Sequence, residues 1–385
     1  MLSYLDWAGE QHMLALPFNE LDGICLSQVV HLPLEEAFQW RAELSLREAA
    51  LALKDITADK LYESLLRRRL ETLRLMGEAP RYQGFRLSRF VDQISLADES
   101  QFCAVTATGP DGVPVICFRG TDLSLVGWKE DFNMSFASPV PAQQQAVDYL
   151  HQVAGHTAAP IIMLGHSKGG NLAVYAAAFC QPQAQDRLQR VYTFDGPGLS
   201  RADATSPGYL RVAERIHSYL PQNSVVGVLL HQHKPFHVVR SKAISLFQHD
   251  AYSWVVEQAQ PRFVREAALT RHSQMLDNVL DQWLEDMSLD DRRLFCDAIY
   301  EVLTAGDDQT LGELVRLDYR KAMSILKAMK DLPPQVGKAL GQAIKLLLQG
   351  TLESALDIAK QAVSDLLPGD ENKDEDKEAA PPRLP

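Results

Sequence analysis

Pro160-Ile-Ile-Met-Leu-Gly-His-Ser-Lys-Gly-Gly-Asn-Leu-Ala-Val-Tyr-Ala-Ala-Ala-Phe-Cys180 changes its period halfway along. The first five residues are an apolar run between turn residues, which predicts a strand buried on both faces. From Lys168 to Cys180 small and apolar residues predict a helix. At the junction stands Gly165-His166-Ser167-Lys168-Gly169, a G-x-S-x-G sequence in a strand–turn–helix setting. A serine there occupies a strained turn, and its neighbours must lack side chains that would collide across it. Gly165, Gly169 and Gly170 supply that room. The turn lifts Ser167 Oγ clear of the sheet. It also aims the Lys168 backbone N–H, at a helix N-terminus, at the point where an oxyanion would form. The plainer reading is a glycine-rich turn with an incidental serine; the strand before it and the helix after it weigh against that.

Working outward, residues 87–96, 102–108 and 113–119 are short, rich in Val, Ile, Phe and Thr, and separated by polar turns. Asp111-Gly112 between the last two is a hairpin signal. A helix is expected from Ala142 to Ala154, and further strands at Val191–Phe194, Arg215–Leu220 and Pro235–Arg240. Strands alternating with helices predict a mostly parallel sheet with helices on both faces. Before it, Leu44–Met76 carries apolar residues every three to four positions, with a break near Thr57-Ala-Asp-Lys. Beyond about Gln258 the strands are expected to stop, and helical patterns cover about 262–284, 288–304, 310–330, 334–348 and 351–366.

The expected organisation is therefore an N-terminal helical segment (1–84) packed on an α/β core (85–257), a helical C-terminal region (258–367) and a disordered acidic tail (368–385). The 38 Lys+Arg against 50 Asp+Glu give a net charge of −12, which argues against nucleic-acid binding. Part of that excess is in the tail, where residues 370–378 carry six acids and two lysines. The five cysteines, Cys25, Cys103, Cys117, Cys180 and Cys296, show no metal-binding spacing and read as free thiols in a reducing compartment. No signal peptide and no membrane span is visible, so a cytoplasmic protein is expected. The oligomeric state is not legible.

A second chemical signal is the strand Val113–Phe118 running into Arg119-Gly120-Thr121-Asp122, about 45 residues before Ser167. In α/β hydrolases the second oxyanion donor comes from the loop after an earlier strand. Gly120 lets the backbone approach and Thr121 offers an N–H; the alternative is an ordinary turn capped by Thr121. Phe118-Arg-Gly-Thr121, then Trp128 and Asp131, then Gly165-His-Ser-Lys-Gly-Gly-Asn-Leu-Ala173 and Val191-Tyr-Thr-Phe194 follow one another as do the landmarks of the class 3 lipases. Over about residues 85–255 the chain resembles that family of fungal-lipase-like α/β hydrolases. It is more similar to a bacterial branch with a GHSKGGNLA elbow and a late QHDxYxW segment, matched by Gln248-His-Asp-Ala-Tyr-Ser-Trp254.

The resemblance implies a serine nucleophile, a histidine base and a carboxylate orienter, and says little about substrate. The leading expectation is a serine hydrolase acting on a small acyl or lipid-like ester, with no cofactor because acyl transfer is complete with side chains and backbone amides. Ser167 takes the first role. Among His217, His231, His233, His237 and His249, only His249 lies in the family segment, and it is expected to be the base; a metal site at His231-Gln-His233 and His237 is not favoured, since no Cys or carboxylate completes a cluster. The acid is open. The family's carboxylate position corresponds to Asn223 here, and Asn can orient a histidine but not neutralise imidazolium. Asp195, at the end of the strand after the elbow helix, is preferred, with a structural Asx turn as its plainer role. Lys168 reads either as a cation that favours an anionic substrate or as a solvated helix-start lysine. Trp128, Phe132, Met134 and Phe136 read as core or as an apolar acyl groove. The competing function is a lipase-fold binding or regulatory module with little or no catalysis. Limited proteolysis followed by mass spectrometry is expected to remove the tail after about Pro368 and leave the rest intact; a tail as protected as the core would contradict this reading.

Overall fold

Alternation along single strands sets the layers of this fold. In the strand carrying the elbow, Ile162 and Leu164 face one apolar cluster while Ile161 and Met163 face another. A strand buried on both sides needs a helical layer on each. The computed structural model describes residues 1–294 apart from 58, 59, 96, 122–129, 132, 233 and 234, together with 297 and 337.

Among the described residues nine strands form one sheet in sequential order: β1 (Glu43–Ser45), β2 (Arg86–Ser95), β3 (Ser100–Thr108), β4 (Pro114–Phe118), β5 (Ile161–His166), β6 (Leu188–Phe194), β7 (Ile216–Pro221), β8 (His237–Val239) and β9 (Arg265–Glu266). The pairings from β4 through β8 are parallel, and those at both edges are antiparallel. The α/β reading from strand–helix alternation therefore holds, and the β3–β4 hairpin turns at Gly112, whose φ is 77°.

One helical layer is α1 (Leu2–Ala8), α2 (Glu20–Val29), α3 (Leu34–Phe38), α4 (Leu46–Ala52) and α5 (Lys60–Glu78); their apolar faces share a core with Leu87, Val105, Val115, Leu164 and Phe194 of the sheet. The other layer is α6 (Pro141–His156) and α7 (Lys168–Phe179), packed on Ala104, Ile116, Met163 and Val191. The N-terminal helices thus cover one full face of the sheet. Their anchor is a buried ion pair. The Arg81 guanidinium donates to both Asp22 oxygens at 2.8 and 2.6 Å, and both side chains are fully buried. Tyr4 and Tyr82 hydroxyls donate to Asp22 Oδ1 at 3.0 and 2.6 Å, and Arg81 Nη1 donates to the Leu16 carbonyl at 2.8 Å. Every lone pair and proton of this pair finds a partner, which is what makes a buried charge pair tolerable.

One boundary is corrected. The strands do not stop at 258: β9 pairs antiparallel with β8, and Phe263 is fully buried against Trp254 and Phe194. The Phe263 N–H and Arg265 Nη2 both donate to Glu20 Oε1, at 2.9 and 2.6 Å. A pairing of only two residues leaves no alternation to read, so the apolar spacing from 262 suggested a helix that begins later, as α8 (Arg271–Asp286). The Thr270 hydroxyl accepts from the Ser273 N–H at 3.3 Å, as an N-cap does. The helices expected at 310–330, 334–348 and 351–366, most of that at 288–304, Cys296 and the acidic tail lie outside the described residues. The other four cysteines are buried free thiols, and burial pushes Cys25 and Cys180 up to about 12. Among the described residues no helix is long and apolar enough to cross a membrane.

Asp22→Asn leaves the Arg81 charge buried without its partner. Urea unfolding is expected to show a loss of about 3–5 kcal/mol; a loss under about 1 kcal/mol would contradict the anchoring role.

Candidate functional site

Ser167 sits between β5 and α7 with φ 59° and ψ −134°, a backbone conformation that L side chains rarely adopt. Such a residue stores on the order of 1–3 kcal/mol and persists only where its surroundings fix it. Here they do. Its N–H donates to the Phe194 carbonyl at 2.9 Å, and its carbonyl accepts from the Gly170 N–H at 2.9 Å. A Cβ on Gly169 would stand 2.2 Å from the Phe118 carbonyl oxygen, so α7 starts in contact with the end of β4. A Cβ on Gly120 would stand 2.6 Å from the His166 carbonyl oxygen and 3.0 Å from Ser167 Cβ. The turn at Arg119-Gly120-Thr121 is thereby pressed against the serine. As the first residue of α7, Lys168 has a backbone N–H without an acceptor inside the helix.

The Lys168 side chain corrects both of its sequence readings. It is neither solvated nor presented to a ligand: the residue is 1% exposed, with Nζ paired to Glu130 and donating to the Gln101 carbonyl at 2.9 Å. Glu130 is equally buried and accepts from the backbone N–H groups of Gln101 and Ala142, each at 2.9 Å. The charge that the sequence places beside Ser167 is spent on holding the loop after β4.

His249 and Asp195 meet across the ends of the strands. His249 Nδ1 lies 2.7 Å from Asp195 Oδ2. Asp195 is 1% exposed, and its φ of 46° turns the side chain out of the end of β6. Its other oxygen, Oδ1, accepts from the Ser224 hydroxyl at 2.5 Å and the Gly227 N–H at 3.1 Å. Asn223 is turned elsewhere: its Oδ1 accepts from the Thr270 hydroxyl at 2.9 Å, and its N–H donates to Gln248 Oε1 at 2.8 Å. Of the two candidate acids, the one at His249 Nδ1 is Asp195.

Each matched residue of Gln248–Trp254 fastens the loop that carries His249. Gln248 Nε2 donates to the Ala243 carbonyl at 2.9 Å, and the Trp254 indole N–H donates to the Gln248 carbonyl at 2.8 Å. Asp250 pairs with Arg68 at 2.9 Å, and the Tyr252 hydroxyl lies 2.8 Å from that of Thr72. Two of these anchors are on α5. The carbonyl of His249 itself lies 2.8 Å from His166 Nε2, and the two imidazole rings lie 4.5 Å apart, tilted by 34°. A carbonyl only accepts, so His166 carries its proton on Nε2; burial, with the His249 charge adding to it, holds that ring well below the usual histidine range.

Thr121 and Asp131 form a further pair, the Thr121 hydroxyl donating to Asp131 Oδ2 at 2.5 Å. Asp131 Oδ1 is closed off from solvent with no partner among the described residues. Burial is the main reason its carboxyl is pushed up to about 6, against the pull of Lys168 and the Thr121 hydroxyl. Met134 is buried core and Phe136 is half-buried, while Trp128, Phe132 and His233 lie outside the described residues. His217 and His237 pack with tilted rings against Tyr192 and Tyr219, and the His231 backbone pairs with Leu199. Among the described residues no three His, Cys, Asp or Glu side chains stand together to hold a metal ion. Sequence reasoning missed Ser224, Gly227, Glu130 and the Thr121–Asp131 pair. Asp131 alone had a signal, as the acidic landmark after Trp128; the others are a hydroxyl, a backbone N–H and an ordinary surface-type residue until folded.

A carboxyl raised by burial makes ionisation cost stability. Relative to the unfolded chain, the folded state therefore loses stability as pH rises from about 4 through about 6. Asp131→Asn removes that cost while keeping an acceptor for Thr121. Its melting temperature is expected to exceed the wild type's at pH 8 and to converge with it at pH 4; a difference independent of pH would contradict the buried-carboxyl account.

No curated protein matches this chain. Among solved structures it is similar to a crystal structure of a mutant form of MDLA from Penicillium cyclopium, at 14% identity over 64% of this chain and 84% of that chain, with a TM-score of 0.36. Over residues 76–301, more than half of its length, the chain matches the Mbeg1-like family, and it belongs to that family.

Proposed function

We propose that this protein is a serine hydrolase cleaving a carboxylic ester of a small acyl or lipid-like substrate through an acyl-enzyme. The observation that carries the reading is the 2.7 Å contact between His249 Nδ1 and buried Asp195, in a fold that also holds a serine at φ 59° on a strand–turn–helix elbow. A carboxylate on Nδ1 leaves Nε2 as the basic nitrogen. In the proposed reaction Nε2 takes the Ser167 proton as Oγ attacks the carbonyl carbon. Asp195 stabilises the imidazolium that forms, and its two further donors fix its orientation. The tetrahedral oxyanion accepts from the N–H groups of Thr121 and Lys168. Glu130 and Asp131 are positioning residues for that hole, one holding Lys168 and the other Thr121. His249 then gives the proton to the leaving alcohol, and water deacylates Ser167 by the same steps in reverse order. The chemistry is complete with side chains and backbone amides. A fold without these contacts around His249 would favour the binding-module reading; their density supports the hydrolase.

Short-chain p-nitrophenyl esters are expected to be hydrolysed, with Ser167→Ala losing at least about 10²-fold in kcat. Asp195→Asn is expected to lose roughly 10³- to 10⁴-fold, because the imidazolium loses its partner and the wrong tautomer is favoured. Asn223→Asp is expected to be mild. Full turnover in correctly folded Ser167→Ala would overturn the assignment, as would a mild Asp195→Asn beside an activating Asn223→Asp.

A further inference from the structure

With Lys168 paired to Glu130, a cation able to meet an anionic substrate has to be sought on another element. α2 and α5 supply it. A Cβ on Gly120 would stand 3.0 Å from Ser167 Cβ and 3.4 Å from His31 Cε1, so His31 flanks the same turn as the serine. The His31 N–H donates to the Gln28 carbonyl at 3.3 Å, and Arg69 Nε donates to the Gln28 side-chain oxygen, also at 3.3 Å. Gln28 thereby sets the Arg69 guanidinium beside His31.

The charges around Arg69 are already matched. Asp250 is taken by Arg68 at 2.9 Å, and Asp92 by Arg119 through two bonds of 2.7 Å. Among the described residues no carboxylate lies within ion-pair distance of Arg69, which is half-buried. Burial pulls its guanidinium down to about 10, still charged at neutral pH. His31 Nε2 is closed off from solvent and has no hydrogen-bond partner among the described residues. Burial and the Arg69 charge hold His31 well below the usual histidine range, so it is a neutral donor or acceptor. A half-buried, unpaired arginine is costly in a chain of net charge −12. Beside an unsatisfied imidazole nitrogen, it is the arrangement that an anionic oxygen group completes.

We propose that Arg69, with His31, seats an anionic group of the ester substrate, a carboxylate or a phosphate carried on the part of the molecule outside the scissile bond. This rests on the hydrolase reading and adds a substrate class to it. The N-terminal helices would then supply specificity while the sheet supplies the chemistry.

The test compares matched esters on the full-length protein. One pair is p-nitrophenyl butyrate and mono-p-nitrophenyl glutarate; the other is a monoacylglycerol and the lysophosphatidate of the same acyl chain. At least one charged member is expected to exceed its uncharged partner in kcat/KM by about tenfold or more, and which pair does so identifies carboxylate or phosphate. Arg69→Gln is expected to erase that ratio, Arg69→Lys to restore part of it, and Arg67→Gln, paired with Glu63 on the exposed side of the same helix, to leave it at the wild-type value. Should Arg69→Gln fail to fold, wild-type hydrolysis of p-nitrophenyl butyrate must still be inhibited competitively by glutarate or inorganic phosphate. No preference in either pair, or a preference that survives Arg69→Gln, overturns the anion seat. Fluorophosphonate labelling separates the two levels: a wild-type Ser167 that labels but shows no charge preference rejects the seat alone, whereas one that does not label rejects the hydrolase reading beneath it.

Discussion

Much of this fold follows from holding one residue in a conformation that it does not prefer. Ser167 keeps φ 59° because β6 pairs in parallel with β5 up to the turn, delivering the Phe194 carbonyl to its N–H. The glycines around it are consequences of the same demand. α7 must begin where β4 ends, and the Gly120 turn must touch the serine, so neither point has room for a Cβ. Strain of on the order of 1–3 kcal/mol is sustained there by a sheet buried on both faces. Once the elbow is fixed, the ends of β4, β6 and β7 open toward one place, where ligands of parallel sheets belong.

The polar groups gathered there form two buried systems. Asp195 binds His249 on one oxygen and Ser224 with Gly227 on the other. Glu130 binds Lys168, Gln101 and Ala142. Each buried charge is met by several donors, the condition under which burial is tolerated. The N-terminal helices complete the arrangement. α5 ties down the His249 loop through Arg68 and Thr72, and the Asp22–Arg81 pair ties those helices to one another. The segment before residue 85 is therefore part of what positions the site.

How much of this was legible depended on range. Strand–turn–helix context around Ser167 and the order of strands and helices are local patterns, and they carried the α/β reading to the structure. The antiparallel β9 was not legible, because two paired residues make no period. Lys168 looked like a site cation because its partner, Glu130, is 38 residues away in sequence. Which of Asp195 and Asn223 meets His249 depends on backbone direction: Asp195, at φ 46°, contacts His249, while Asn223 is drawn to Thr270, a residue that reaches it only once β9 and α8 have folded back. Arg69 carried no signal at all, since its distinction is the absence of a carboxylate partner among the described residues.

The central claim is that Asp195, His249 and Ser167 act as one unit with the Thr121 and Lys168 amides. A crystal structure of the protein after reaction with an alkyl fluorophosphonate tests it most directly. The account predicts phosphorus bonded to Ser167 Oγ, the phosphoryl oxygen accepting from the Thr121 and Lys168 N–H groups, and His249 Nε2 facing the adduct with Nδ1 still on Asp195. An adduct on another residue, or a phosphoryl oxygen pointing away from both amides with His249 turned from Ser167, would contradict it.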